Sequence, residues 1–143
     1  MTLFTSLEIA NHFLHKDYIT SMKLQKLLYF SQGWCLALYN RPLFDEFIKA
    51  ETYGPVCRSI RESFISYGSN EITSPILNQE ELIVTPLLNK IWDVYGSYSD
   101  VQLSRLATEI DGPWYIARTN HSERKEINID EEVMKEHFKS KIQ

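Results

Sequence analysis

Met22-Lys23-Leu24-Gln25-Lys26-Leu27-Leu28-Tyr29-Phe30-Ser31-Gln32-Gly33-Trp34-Cys35-Leu36-Ala37-Leu38-Tyr39 is the stretch whose reading decides the fold. At helical period, Leu24, Leu27, Leu28, Cys35 and Leu38 fall on one face. Phe30 and Trp34 widen that face, and Tyr29 and Leu36 lie nearly opposite. Polar residues keep a narrow strip through Gln25, Lys26, Gln32 and Gly33. A helix apolar over most of its circumference is covered from several sides, so this one is predicted to run through the core. At about 18 residues it spans roughly 27 Å. Lys23, Gln25, Lys26 and Gln32 interrupt it, whereas a membrane span needs about 20 apolar residues. Gly33 costs a helix about 1 kcal/mol against alanine, and close approach by another backbone would account for it.

Upstream, Thr5-Ser6-Leu7-Glu8 is a capping box, and Phe4 and Ile9 occupy the positions of a hydrophobic staple. They predict a first helix from Ser6 to His15 that buries Ile9, Ala10, Phe13 and Leu14. His12 and His15 are three apart, but two histidines without a third ligand read as a solvated helix face rather than a metal site. Thr20 or Ser21 caps the main helix, and Asn40 followed by Pro42 ends it.

Downstream, Phe47 to Tyr53 alternates weakly, as a short strand would. Gly54-Pro55 then reads as a cap with proline at the first helical position, which predicts a helix from Pro55 to Tyr67 closed by Gly68. Ser69 to Asn78 reads as loop. Thr85-Pro86 opens a helix to Tyr95 with Leu88, Ile91, Trp92 and Tyr95 inward. Ser99-Asp100-Val101-Gln102 is a second capping box, and Leu103, Leu106, Ala107 and Ile110 are expected inside. Pro113-Trp114 starts a short helix to Arg118, Asn120 to Glu126 is a polar loop, and Ile127-Asn128-Ile129 is a second short strand. Asp130 caps a last helix with Glu131 and Glu132 in its first turn and Val133, Met134 and Phe138 packed. The expectation is a mainly α fold: six or seven short helices around a central helix at 21–39, with at most a minor short-stranded β element.

The 143 residues suit one domain, 1–143, and 43% apolar with 13% aromatic residues suffices for a core. The net charge of -4 argues against a dedicated nucleic-acid binder. Cys35 and Cys57 form no CxxC pair; buried free thiols are expected of them in a reducing compartment, with a disulfide left open. Met1-Thr2-Leu3-Phe4 has neither the basic region nor the apolar run of a signal peptide, so a cytoplasmic location is expected, without membrane association.

No catalytic signature is legible: there is no GxSxG, P-loop, HExxH or GxGxxG. No catalytic residue, cofactor or metal site is therefore predicted, and the chain is read as a non-enzyme. Glu51 is expected to pair with Arg58 or Arg61. The cations Lys23, Lys26, Arg58, Arg61 and Arg118 are scattered over several elements, with no basic recognition helix. Tyr53, Tyr98, Trp114 and Tyr115 with Arg58 and Arg118 have the composition of a protein interface, although Trp114 also suits the core.

The run Lys23 to Trp34, then Arg41-Pro42-Leu43-Phe44-Asp45, Ala50, Tyr53-Gly54-Pro55-Val56 and Pro113-Trp114, together resembles the Panacea domain, the SocA-like, phage-associated GepA-type family. The order and spacing hold over residues 5 to 140. Glu51-Thr52 departs from the pattern, since members commonly carry tryptophan after the alanine. The resemblance implies a helical antitoxin of a type II toxin–antitoxin pair that neutralises a co-encoded protein toxin by direct binding. The cognate toxin encoded by the adjacent gene is the implied partner, in a heterotetramer or beside a homo-oligomer of the antitoxin. One family member acts as an adaptor delivering its toxin to a protease, which is the alternative function; an enzyme acting on the toxin or its product is the third. The length leaves no room for the DNA-binding module some members carry, so direct nucleic-acid binding is not expected.

The partner-binding surface is expected where the start of the main helix (Lys23, Gln25, Lys26) meets the start of the next (Gly54, Pro55, Val56, with Arg58). Lysine stems lie along apolar surface with their heads in water, and helix starts leave backbone donors unpaired. Tyr53 and Trp114 complete this site as an aromatic patch inside a polar rim.

Overall fold

The computed structural model describes residues 3–121, 123–124 and 126–142. Its elements in chain order are α1 (Ser6–Leu14), β1 (Ile19–Thr20), α2 (Ser21–Tyr39), β2 (Lys49–Glu51), β3 (Gly54–Val56), α3 (Arg58–Ser63), β4 (Glu71–Ile72), α4 (Thr85–Tyr95), α5 (Asp100–Ala107), α6 (Pro113–Asn120) and α7 (Glu131–Lys139), with a 3-10 turn at Ile65–Tyr67. The fold is mainly α with a minor β component, as the sequence predicts. β1 pairs antiparallel with β4, and β2 with β3. The polar loop expected from Asn120 to Glu126 includes Ser122 and Lys125, which lie outside the described residues. No helix among the described residues is long and apolar enough to cross a membrane.

α2 starts because the Thr20 hydroxyl accepts the Lys23 N–H. It stops because Asn40 turns left-handed at φ 57° and returns its N–H to the Leu36 carbonyl. In between it packs against α1, α3, α4, α5 and α7, and against β1 and β3. Leu24, Leu27 and Leu28 are fully buried, and Tyr29 and Leu36 on the other side are nearly so. Each such side chain contributes about 1.5–3 kcal/mol of apolar burial, which makes α2 the axis of the core. Leu38 departs from the expected face: it is 48% exposed, because the last turn of α2 emerges from the packed region.

Gly33 is explained by a close approach, but of a ring rather than a backbone. A Cβ there would lie 2.1 Å from the Phe138 ring of α7. That ring makes edge contacts with Tyr29, Phe30 and Trp34, so the glycine is the notch through which α7 reaches the core.

The capping boxes at Thr5/Glu8 and Ser99/Gln102 form as expected, and Asp130 accepts the Glu132 and Val133 N–H groups at the start of α7. Other expectations are corrected. Gly54-Pro55-Val56 is a strand, not a helix start: Glu51 pairs with Gly54 and Lys49 with Val56, and the helix begins only at Arg58. Extended pairing with β2 satisfies backbone that a helix would otherwise use. The Ser69–Asn78 segment contains β4. Ile127 and Ile129 lie along β2, with Ala50 donating to the Ile127 carbonyl and Ile129 to that of Ile48. α5 ends at Ala107, leaving Leu106 and Ile110 exposed. Thr85 is the first helical residue rather than the cap, its hydroxyl accepting the Leu82 N–H.

His12 is buried rather than solvated, and its Nε2 has no hydrogen-bond partner among the described residues. The polar side of α1 faces residues 77–78. Asn11 accepts the Leu77 N–H and donates to the Asn78 carbonyl, and His15 bonds the Leu77 carbonyl. Cys35 and Cys57 are free and buried; burial pushes the Cys35 thiol up to about 11 and that of Cys57 higher still.

Candidate partner-binding groove

The polar strip of α2 divides into side chains that hold the fold and one that does not. Gln25 accepts the Cys57 N–H at 2.6 Å and donates to the Cys57 carbonyl at 3.1 Å. This clamp fixes the β3–α3 junction on α2. Gln32 acts likewise on the Leu43–Phe44 segment, accepting both N–H groups and donating to the Phe44 carbonyl. Both glutamines are buried, so neither forms part of an exposed rim. Lys23 is committed elsewhere. Its ammonium donates to the Gly96 carbonyl at 2.6 Å, at the end of α4, and lies over the Trp92 ring.

Lys26 is different. The residue is only 4% exposed, yet its Nζ makes no hydrogen bond or ion pair among the described residues. Its stem crosses Gly54, where a Cβ would sit 3.1 Å from Lys26 Cε and Nζ. Gly54 also has φ +141°, which a side chain would strain. The glycine thus serves the hairpin and gives the ammonium its passage. Burial lowers the Lys26 pKa to about 8, although Asp100 and Glu51 pull it upward.

That ammonium lines an open groove of about 500 Å³. The β2–β3 hairpin contributes Glu51, Thr52, Tyr53, Gly54 and Val56, α3 contributes Arg58 and Arg61, and α6 contributes Arg118. Tyr53, at the hairpin tip, is 87% exposed. Glu51 accepts from Arg61 Nη1 at 2.5 Å and from Arg58 Nε at 3.3 Å. Desolvation raises the Glu51 carboxyl, but the two guanidiniums outweigh it and hold the group below the usual range. Arg58 also pairs with Glu126. From behind, the Trp114 indole donates to the Glu51 carbonyl at 2.7 Å, and Arg118 donates to that of Ala50 at 3.2 Å.

Of the predicted site residues, Lys26, Tyr53, Gly54, Val56 and Arg58 meet in the groove. Pro55 is buried in the hairpin ladder beside them, and Trp114 is a half-buried support. Lys23 and Gln25 do not belong to the groove, and neither do Tyr98 and Tyr115. No helix N-terminus is supplied by Gly54–Val56. Arg118, expected only as part of a general interface composition, joins the groove, and Arg61 is an addition. The pairing of Arg58 and Arg61 with Glu51 is legible from sequence, but nothing in the spacing brings Arg118 to them. Cations scattered along the chain are here gathered in space. A smaller groove of about 290 Å³ beside the end of α2 contains no predicted site residue. Among the described residues, no three His, Cys, Asp or Glu side chains are grouped to hold a metal ion.

The chain belongs to the antitoxin SocA-like, Panacea domain family, whose pattern matches residues 24–115. That span holds α2 from Leu24 onward, the hairpin and α3, but not Arg118. The chain is similar to the antitoxin SocA of Caulobacter vibrioides (strain NA1000 / CB15N), with 30% identity over 109 residues, 67% of this chain and 58% of that protein. It therefore spans little more than half the length of that relative. No solved structure matches it.

Proposed function

We propose that the protein is the antitoxin of a type II pair and neutralises a co-encoded protein toxin by direct binding, without chemistry of its own. The family membership carries this reading. The groove supports it, because an exposed tyrosine beside arginines is the usual composition of an interface hot spot. The partner is taken to be the product of an adjacent gene, bound in the cytoplasm across the hairpin face. Co-expression with that gene is expected to restore growth and to yield a complex that co-purifies. Absence of both in the presence of a demonstrably toxic neighbour rejects the reading.

Protease-adaptor action is the second reading, and rescue would then disappear in a protease-deficient host while the complex persisted. An enzyme acting on the toxin or its product would lose rescue upon isosteric replacement of one or two of Glu51, His12, His15, Cys35 and Cys57 while staying folded. A binder keeps rescue through most of these changes.

A further inference from the structure

We propose that the groove receives an acidic segment of the partner protein, with one carboxylate seated on the Lys26 ammonium and the chain alongside packed on Tyr53. The inference rests on the direct-binding reading and names the chemistry of the bound surface.

Three observations lead to it. The chain carries a net charge of -4, yet the groove lining holds four cationic side chains against one carboxylate, Glu51. The site therefore opposes the sign of the molecule around it and suits an acidic ligand. The cations are also not equivalent. Arg58 and Arg61 are held by Glu51, and Arg118 by the Ala50 carbonyl. Only Lys26 among them reaches the groove without a hydrogen bond or ion pair among the described residues. The Lys26 stem is buried and its surroundings disfavour the charged form; a carboxylate arriving where Nζ opens on the groove would offset that cost in the complex alone. Finally, a nucleic-acid backbone needs several uncommitted cations spaced along a strand, whereas here Arg58 and Arg61 are ion-paired and only Lys26 and Arg118 lack a carboxylate among the described residues, beside an exposed aromatic ring. One carboxylate on a peptide matches that arithmetic and a row of phosphates does not.

The proton balance gives the site a signature. Lys26 is faced by Glu51 from β2 and Asp100 from α5, with Tyr53, Arg58, Arg61 and Arg118 around the groove. Its free ammonium titrates near pH 8. A carboxylate ligand binds the protonated form, so affinity holds nearly constant between about pH 6 and neutrality, where the ligand is ionised, and falls as pH rises through the Lys26 pKa.

The test uses the full chain labelled with 13C-lysine and the probe acetyl-hexaglutamate amide, with hexaglutamine and inorganic pyrophosphate as comparisons. The Lys26 ε-carbon signal, assigned by its loss in Lys26→Met, is expected to shift saturably with hexaglutamate at millimolar concentration and to report a raised Lys26 pKa. Affinity is expected to fall about tenfold between pH 7 and 9, and to lose its pH dependence in Lys26→Met. Tyr53→Glu, at an exposed hairpin tip that leaves the fold intact, should weaken the probe severalfold by placing a like charge at the rim. No Lys26 shift with hexaglutamate, or tighter binding of pyrophosphate, overturns the proposal; the second outcome would make the groove a phosphate site. Toxin binding separates the two levels of argument. A complex whose affinity and pH dependence are untouched by Lys26→Met keeps direct neutralisation and removes the anchor. Hexaglutamate binding with no toxic partner captured keeps the acidic-segment site and removes neutralisation.

Discussion

Gln25 and Lys26 are neighbours on α2, equally buried at 4% exposure, and they teach opposite lessons. Gln25 has both ends of its amide satisfied by the backbone of one residue, Cys57. Removing it would damage the fold, because the Cys57 N–H and carbonyl would be left without it. Lys26 has no such partner among the described residues, and replacing its ammonium by an apolar end of similar length is expected to relieve the fold. A buried polar side chain with its hydrogen bonds completed is part of the architecture. One held without them is a cost that the fold carries for another reason, and activity–stability trade-offs concentrate at such positions.

The largest effect that would sharpen this contrast is expected from Gln32→Leu. It leaves the Leu43 and Phe44 N–H groups and the Phe44 carbonyl without their partner in a buried site. At about 1–3 kcal/mol for each unsatisfied group, partly relieved by local adjustment, urea unfolding should show a loss of roughly 4 kcal/mol. A loss below about 1 kcal/mol would break the contrast by showing that the clamp is dispensable.

Next comes the pH dependence of Lys26. Burial lowers its folded pKa from 10.5 to about 8. Below pH 8 both folded and unfolded chains hold the proton. Between pH 8 and 10.5 the folded chain has released it while the unfolded chain retains it, so stability rises with pH across this window. Relative to Lys26→Met, the wild type should gain about 3 kcal/mol between the two ends. At neutral pH the methionine variant is expected to melt higher than wild type. A variant that melts lower would place Lys26 with the glutamines, as a residue of the fold.

Gly33→Ala is expected to cost about 1–3 kcal/mol, the usual range for overpacking, since the added Cβ meets the Phe138 ring at 2.1 Å. Its signature is displacement of α7, visible as altered aromatic signals from Phe138 and Trp34. The smallest effect belongs to Tyr53→Ala. With 87% of the residue exposed, stability should change by less than about 0.5 kcal/mol, while toxin affinity falls about tenfold, or roughly 1.4 kcal/mol. A drop in melting temperature with affinity retained would assign the hairpin tip to folding instead.

The sequence by itself determined the axis of this protein. The period of Leu24, Leu27 and Leu28, a cap at Thr20 or Ser21 and the Asn40-Pro42 stop place α2 within a residue of its observed bounds, because helical period and caps are written in neighbouring residues. Both capping boxes and the Asp130 cap were legible for the same reason. What tertiary structure decided was everything set by a distant partner. Gly54-Pro55-Val56 has the local signature of a helix start and becomes a strand because β2 pairs with it. Gly33 awaited a ring on α7, more than a hundred residues away in sequence. Gln25, Gln32 and Lys26 share one polar strip, and no local pattern separates them; whether a peptide group or an open groove faces each is settled by packing. Arg118 likewise joins Lys26, Arg58 and Arg61 only because α6 lies against β2. Local sequence sets backbone period and termini, which depend on nearby residues, whereas a site made by convergence depends on which surfaces meet when the core closes.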